Sequence, residues 1–502
     1  MTTTSETLEL VKTALSKSSD DIQKTVNQAT GLVAFDLQAP SKNLYPVNTP
    51  IRNRMPRIGG GTGVATNWRV VQALLGSGFD AMGWVAEGQR TARMSLTTAT
   101  KAANYVTFGE EDQVTFEAEN AAVSFEDILA TETMRVLQKC MLKEENQILG
   151  GNASLALGTV GTVTTSASGS GGTLGAATYS VICVALTQEG FKNSSVAGGV
   201  ATSQTITGAD GQTYVLNGGS SMKSAAASQI VTSGQTLFAS VAPIVGAVAY
   251  AWFFGTVGNE VIQVITTINS MAFNTPLGGG GGSQNATAVT ADKSQNSSLA
   301  YDGLITTAFK AQSFGSLVTT LATGTAGTGT VLTSTGKGTC TEIDALLLNM
   351  WSTYQVSPTV IYVNGQQLKD LTTRCLTGTS GAPLLQVQVK GDDATMNPYQ
   401  LVAGGNLAFY FNPFAMGGGI KIPILIHPNL APGTIVAYCE DLPMQYRSNN
   451  VPNTAAVKTR KDYYQLQWPL RTRAREFGVY CESVLAVYAP FAIGMITNIA
   501  AG

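Results

Sequence analysis

Charge is nearly absent from the middle of this 502-residue chain. Residues 151–340 consist mainly of Gly, Ser, Thr, Ala and Val, whereas the segments before and after them have the charge density of ordinary globular domains. So sharp a change in composition indicates a module inserted into a host domain. The charged residues of the middle segment are Glu189, Lys192, Asp210, Lys223, Glu260, Asp292, Lys293, Asp302, Lys310 and Lys337.

Histidine and paired cysteines are also scarce. The chain has one histidine, and its six cysteines lie far apart without a CxxC pair. This pattern argues against a zinc site or a disulfide framework and favours reduced thiols in a cytosolic compartment. A net charge of −2 argues against a protein that binds nucleic acid by neutralising phosphates. With 44% hydrophobic residues, the chain can form two to four compact cores.

Membrane and export signals are weak. The N-terminus lacks the basic start and apolar core of a signal peptide. Residues 237–254 are almost wholly apolar, but Pro243 and Gly246 interrupt them and no basic residues flank them. We therefore predict a pair of buried strands here, and no association with a membrane.

No motif of the chain predicts catalysis, cofactor binding or a metal site. Gly59–Gly63 lacks the Lys-Ser/Thr of a phosphate-binding loop, so a flexible arm is the better interpretation. Glu110–Asp112 is interpreted as solvated turn charge, since Ca²⁺ needs six or more arranged oxygens. His427 has no second ligand or base near it in sequence, and we expect a buried, neutral imidazole that hydrogen-bonds a backbone carbonyl. The chain is predicted not to be an enzyme.

The flanking segments contain the clearest secondary-structure patterns. In the first half we expect a helix over 5–30, an extended, proline-punctuated arm over 32–57, a polar loop over 84–107, a strand at Gln113–Ala118 and a long helix over 124–149 that begins with the capping pair Ser124 and Asp127. In the second half we expect a helix at Glu342–Tyr354, a strand at Thr359–Val363, a second helix carrying Leu368, Leu371 and Cys375, and long antiparallel strands at Val457–Trp468 and Glu476–Tyr488.

The sequence of the charge-poor module predicts short strands separated by Gly, Ser and Asn turns, a pattern typical of a β-sandwich. The stretch Ala242–Phe253 resembles the central strand of immunoglobulin-like or fibronectin type III-like modules. Gly150-Gly151 and Gly278–Gly282 suggest flexible borders. We therefore expect an inserted module over 153–285 that the host fold can lose.

The order of the host segments resembles the major capsid proteins of tailed bacteriophages, which have the Hong Kong 97 fold. The most similar segments are Asn449–Asn453, Lys458–Pro469, Glu476–Leu485, Pro490–Ile499 and Glu342–Leu371. The resemblance covers roughly 1–150 and 300–502 by order of elements, and its motifs are typical of the family rather than unique to it.

The resemblance implies an α+β fold with five parts. These are an N-terminal arm (1–60), a peripheral domain (61–152) with an extended loop (84–107) and a spine helix (124–149), the inserted immunoglobulin-like sandwich (153–285), a mainly axial domain (286–428), and peripheral strands with a C-terminal axial segment (429–502).

The resemblance also implies a function. The chain would assemble in the host bacterial cytoplasm into hexamers and pentamers of an icosahedral virion shell. The shell would enclose double-stranded DNA without sequence-specific contacts, with portal, scaffold and possibly decoration proteins as partners. Inter-subunit contacts are expected at Glu87, Arg90, Arg93 and Lys101. A covalent link from Lys101 to an asparagine, as some relatives form, is a remoter expectation.

Three other classes remain open at the level of sequence, and a hydrolase is the weakest of them because the single histidine has no partners. An encapsulin-type cellular nanocompartment resembles the same fold, although the inserted module and the long arm disfavour it. An extracellular adhesin or surface-layer protein would fit the Gly/Ser/Thr-rich module, but the absence of a signal peptide and the unpaired cysteines argue against it.

Overall fold

The computed structural model describes residues 48–75, 84–90, 95–123, 127–169, 171–275, 284–310, 317–378, 407–415, 418–442, 447 and 451–502. The helix predicted over 5–30, most of the predicted arm, Ser124 of the predicted capping pair and the Gly278–Gly282 border lie outside these residues.

The described chain is a mixed α+β fold. Its helices are α1 (Phe116–Ala122), α2 (Ile128–Gly150), α3 (Gln188–Asn193), α4 (Leu304–Lys310), α5 (Thr341–Tyr354) and α6 (Gly365–Thr377). Its strands are β1 (Arg57–Ile58), β2 (Ala65–Leu75), β3 (Ser95–Asn104), β4 (Val106–Thr115), β5 (Thr164–Ser168), β6 (Ala177–Leu186), β7 (Ser203–Thr207), β8 (Thr213–Asn217), β9 (Ala227–Val231), β10 (Thr236–Ser240), β11 (Ala249–Thr256), β12 (Val261–Thr266), β13 (Ser270–Phe273), β14 (Leu317–Thr320), β15 (Val360–Val363), β16 (Phe409–Asn412), β17 (Ile420–Ile426), β18 (Ile435–Tyr438), β19 (Ala455–Gln467), β20 (Ala474–Val487) and β21 (Ile493–Thr497).

The first unit of the host, which we call the peripheral domain after the expected division, is a sheet of order β1-β19-β20-β4 with α2 packed on it. The two long strands β19 and β20 pair antiparallel, as the sequence predicts, from Ala455 opposite Val487 to Gln467 opposite Phe477. Helix α2 begins at the N-cap Asp127, whose carboxylate accepts from the backbone N–H of Ala130. At 23 residues it is about 35 Å long.

The second unit, which we likewise call the axial domain, is a six-stranded sheet of order β14-β21-β18-β15-β17-β16. Helix α5 lies where the apolar periodicity predicts it and buries Ile343, Leu346, Leu347 and Met350. Both α5 and α6 contribute to one core with the sheet, in which Leu371 and Ile496 are buried. The predicted helix–strand–helix of residues 341–377 is therefore the framework of this unit.

The segment predicted as a polar loop over 84–107 is largely strand. Residues 95–104 form β3, which pairs antiparallel with β2 from Leu75 opposite Ser95 to Ala65 opposite Asn104. Residues 106–107 already belong to β4. The strand predicted at Gln113–Ala118 ends at Thr115, whose hydroxyl caps α1 by accepting from the N–H of Ala118.

The inserted segment forms two antiparallel sheets, of order β12-β11-β6-β9 and β13-β10-β5, around a common core. Phe254 stacks on Phe273 with ring centroids 4.4 Å apart, and Trp252 is fully buried between the sheets. Strands β7 and β8 form a separate hairpin. In an immunoglobulin constant domain the first, second, fourth and fifth strands share a sheet. In this sandwich, counted without the separate hairpin, β5, β10 and β13 are the first, fourth and seventh strands, and these three share a sheet. The predicted β-sandwich is therefore present with a strand order unlike that of an immunoglobulin constant domain, and the immunoglobulin-like assignment stays a prediction.

The apolar segment Leu237–Phe254 contributes β10 and β11 to this sandwich. Both strands lie mostly buried, with Leu237 and Phe253 fully so. Among the described residues, no helix is long and apolar enough to cross a membrane.

At its first border, the sandwich is joined to the host by a packed seam. Gly150 is the last residue of α2 and is buried, and the carbonyl of Gly151 accepts from the N–H of Gly303 at 2.8 Å. Val248 of the sandwich belongs to the host core that contains Ile148 and Leu430. The backbone at Gly151 is packed so closely that a side chain there would meet the carbonyl of Tyr301 at 2.5 Å. The expectation of a flexible border at Gly150-Gly151 is therefore wrong.

Candidate functional site

The β2–β3 hairpin is separate from the other sheets of the described chain. It forms a two-stranded sheet of its own, roughly 33 Å long at about 3.3 Å per residue. Its base is fixed to the peripheral domain: the indole N–H of Trp68 donates to the carbonyl of Val487 at 2.9 Å, and the Lys458 ammonium donates to the Thr66 hydroxyl at 3.2 Å. At the opposite end, the turn residues Trp84 and Val85 are 87% and 47% exposed.

The predicted contact residues separate into two groups on this hairpin. Glu87 and Arg90 lie exposed in the turn beside Trp84. Lys101 lies on β3 opposite Trp68, near the base, and lines a cavity there. Arg93 lies outside the described residues. The structure therefore brings Glu87 and Arg90 to one end of the hairpin and Lys101 to the other.

A second site, which we call the arm anchor, consists of Glu144 and Glu145 on α2 with their partners. Both carboxylates are fully buried. Glu145 accepts from the backbone N–H groups of Ile51 and Arg52 at 3.0 and 2.7 Å. Residues 48–58 thus lie against their own subunit.

The other carboxylate of the anchor neutralises two arginines of the same segment. Glu144 accepts from Arg52 Nε at 2.6 Å, from an Arg57 guanidinium nitrogen at 2.6 Å and from the Tyr463 hydroxyl at 2.7 Å. Burial lowers the pKa of Arg57, but its hydrogen bonds to Asp462 and Glu144 outweigh burial and the net shift is upward. Arg57 therefore stays charged, and the buried Glu144 has the cations it needs.

His427 joins the axial domain to this anchor. Its imidazole is fully buried, and its Nε2 lies 2.7 Å from Oε1 of Glu145. The backbone N–H of Asn429 donates to Nδ1 at 3.1 Å, so Nδ1 carries no hydrogen and Nε2 donates to the carboxylate. The expected neutral, structural imidazole therefore has a carboxylate as its partner, and not the backbone carbonyl that we expected.

Sequence reasoning missed the anchor, although the helix periodicity contains a signal for it. Val136, Cys140, Glu144 and Ile148 recur at intervals of four, so Glu144 lies in the apolar stripe of α2. A carboxylate at such a position needs a partner, because an unpaired buried charge is costly.

The acidic run Glu110–Asp112 and the glycine run Gly59–Gly63 each make contacts within the fold. Glu110 lies on β4, not in a turn, and pairs with Lys139 and Lys143 of α2 at 3.0 and 2.5 Å. In the glycine run, Gly61 donates its N–H to the carbonyl of Thr459 at 3.0 Å. No group of three or more His, Cys, Asp or Glu that could hold a metal occurs among the described residues.

Glu189 lies in the seam between the sandwich and the host. The side-chain amide of Gln147 on α2 donates to its carboxylate at 2.9 Å. Burial raises the pKa of Glu189 to about 7, and the hydrogen bonds from Gln147 and Asn296 offset only part of that rise. No charged group contributes to the shift.

The Glu189→Gln substitution is expected to change how stability depends on pH. Because the folded-state pKa of about 7 lies above the ordinary 4.5, the folded state binds the proton more tightly, and the wild type loses stability as pH rises between these values. The amide removes this loss, so the variant should exceed the wild type by roughly 1–3 kcal/mol above pH 7 and match it near pH 4.5. Urea unfolding across this range tests it, with Glu132→Gln as the surface control. Parallel pH profiles for wild type and Glu189→Gln would contradict it.

Comparison with known proteins gives structural matches only. No family model and no curated protein matches the chain. Among solved structures, the chain is similar to the capsid of the native GTA particle, with 10% identity over 95% of this chain and 99% of that chain and a TM-score of 0.43. It is also similar to a structure of Mycobacterium phage Bobi (8% identity, 96% and 98% covered, TM-score 0.40) and to the SrpI encapsulin from Synechococcus elongatus PCC 7942 (8%, 92% and 93%, TM-score 0.38). Since these TM-scores are below 0.5, the likeness by itself assigns no function to the chain.

Proposed function

We propose that this chain is a major capsid protein that self-assembles into the icosahedral shell of a tailed bacteriophage. The observation that carries the proposal is the β2–β3 hairpin. It leaves the peripheral domain as a two-stranded ribbon and exposes a tryptophan at its far end. An isolated two-stranded hairpin is marginally stable in water, so a neighbouring subunit is the natural partner for its outer part.

The arm anchor supports the same proposal. It uses two buried carboxylates to fix residues 51–57 on the spine helix α2. Residues 51–57 are therefore held at a defined place on their own subunit. Segments that extend from fixed points allow subunits to form obligate interfaces larger than about 2,000 Å².

The charge of the chain suits a container for DNA. A net charge of −2 gives no general attraction to phosphates, so packaged duplex would move along the wall without being held by counterion release. In this proposal the subunits form hexamers and pentamers in the host bacterial cytoplasm and then the virion shell. Portal, scaffold and possibly decoration proteins complete the set of partners. Glu87 and Arg90 contact the neighbouring subunit from the hairpin turn.

Sedimentation velocity of the full-length protein, expressed alone and with its scaffold, tests the proposal. We expect large, uniform particles, and their content distinguishes a virus shell with double-stranded DNA from a compartment that contains an enzyme. As a control, a short glycine turn replaces residues 76–94, which should leave a folded subunit that forms no particles. A wild-type protein that stays monomeric at high concentration, with scaffold present, would contradict the proposal.

A further inference from the structure

A cavity of about 310 Å³ lies at the base of the hairpin, between β3, the end of β20, α4 and the start of the sandwich. Its walls are largely apolar and include Val70, Ala103, Tyr301, Leu485 and Val487. Its volume is at the lower end of the roughly 300–1,000 Å³ typical of small-ligand pockets. A single aromatic side chain is the size of occupant that such a cavity favours.

The polar part of the cavity wall contains both signs of charge. The Lys310 ammonium lies 3.6 Å from an oxygen of Asp302 and 2.5 Å from the Ser154 hydroxyl, and its side chain is 42% exposed. Asp302 is less exposed, at 25%. Asp302 also accepts from the backbone N–H groups of Ala153 and Ser154 at 2.9 and 3.1 Å, so an occupant with one acidic and one basic residue beside it would share Lys310 and Asp302 with these partners.

The turn of the same hairpin carries an apolar group with such neighbours. Trp84 is 87% exposed, which leaves a large aromatic side chain in water. Glu87 and Arg90 follow it in the same exposed turn. The aromatic ring and the two opposite charges of the turn thus match the apolar walls and the two opposite charges of the cavity.

The two features cannot meet within one subunit as it is folded here. Trp84 does not line the cavity, and the strand from Ala102 to Ser95 alone covers roughly 23 Å at about 3.3 Å per residue. The occupant must therefore come from a second copy. A contact between two different surfaces of the same chain is head-to-tail, and such contacts form a ring when the rotation between copies closes and a filament when it does not.

We propose that Trp84 of one copy enters the cavity at the hairpin base of the next copy, with Glu87 facing Lys310 and Arg90 facing Asp302. This inference rests on the proposed shell function and names the contact that links neighbouring subunits. Buried tryptophans are the commonest dominant contributors to protein interfaces. The contact would therefore determine much of the stability of the ring.

A cysteine pair tests the contact directly. Val85→Cys together with Ala102→Cys keeps Trp84 in place, and oxidation after assembly should give a ladder of disulfide-linked oligomers on a non-reducing gel. Ala102 is exposed and lines the cavity, and the six native cysteines are all buried, so each single variant should run as monomer. Shells that contain both cysteines and still run as monomer would overturn the inference.

A second set of variants decides the matter if the cysteine protein does not assemble. Trp84→Phe should keep most of the assembled fraction, whereas Trp84→Ala should reduce it at least tenfold. Glu87→Lys should reduce assembly, and Lys310→Glu in the same chain should restore it. Wild-type yields for Trp84→Ala, with intact shells, would overturn the contact but leave the shell function standing. A wild-type protein that forms no shells would remove both.

Discussion

Replacing Glu145 with alanine is expected to lower the free energy of unfolding by about 3–5 kcal/mol, one of the largest effects of any single substitution in the described chain. The change leaves three buried donors without an acceptor, namely the N–H groups of Ile51 and Arg52 and the Nε2–H of His427. Each unsatisfied buried donor costs roughly 1–3 kcal/mol. Because these donors belong to the arm segment and the axial domain, the loss should release both from α2.

Chemical unfolding and particle yield measure this effect. Glu132→Ala is the matched control, since Glu132 lies on the same helix and pairs only with Arg135 near the surface; such pairs contribute less than about 1 kcal/mol. His427→Gln should lower the free energy of unfolding less than Glu145→Ala does, because the glutamine amide can still donate to the Glu145 carboxylate. Particles of this variant should still form near neutral pH. Equal stabilities for Glu145→Ala and Glu132→Ala would show that the anchor does not hold the arm.

Deleting the sandwich is expected to destabilise the host rather than leave it intact. Val248 fills part of the host core, and Asn269 of the sandwich exchanges buried hydrogen bonds with Asn498 of the axial domain at 2.9 and 3.0 Å. The side chain of Gln188 also donates to the carbonyl of Asn429 and accepts from the N–H of Ala431. Removing these groups exposes apolar surface and leaves buried polar atoms unpaired on the host side.

The deletion is best made by joining Ser154 to Ser294 through a short linker, because Asn152 and Ser294 already lie in hydrogen-bond contact. We expect aggregated protein or a strongly lowered unfolding midpoint, and few particles. As a control, a glycine pair replaces residues 204–216, which removes only the separate β7–β8 hairpin and should cost little. Smooth, normally stable particles from the full deletion would show that the sandwich is an independent appendage.

Apolar periodicity predicted the host framework well. Helix α5 repeats large apolar residues at spacings of three and four, and β19 and β20 are long enough to specify each other as partners. The hairpin was missed because β3 is rich in Thr and Ala and has little apolar alternation. Its strand conformation comes from backbone pairing with β2, which a local pattern does not contain.

The contacts between distant segments could not be predicted from local sequence. His427 meets Glu145 across 282 positions, and nothing near either residue indicates the other. The seam of the sandwich is similar: Gly150-Gly151 reads as a linker, but these glycines allow close approach of the backbone near Gly303 and Tyr301. In both cases the local residue types are ambiguous and tertiary packing decides their role.

Electron cryomicroscopy of the purified full-length protein, assembled with its scaffold, tests the central claim most directly. We predict closed icosahedral shells one subunit thick, in which each β2–β3 hairpin crosses onto a neighbouring subunit and residues 51–57 remain on their own spine helix. Monomers, or oligomers in which every hairpin lies against its own subunit, would contradict this account.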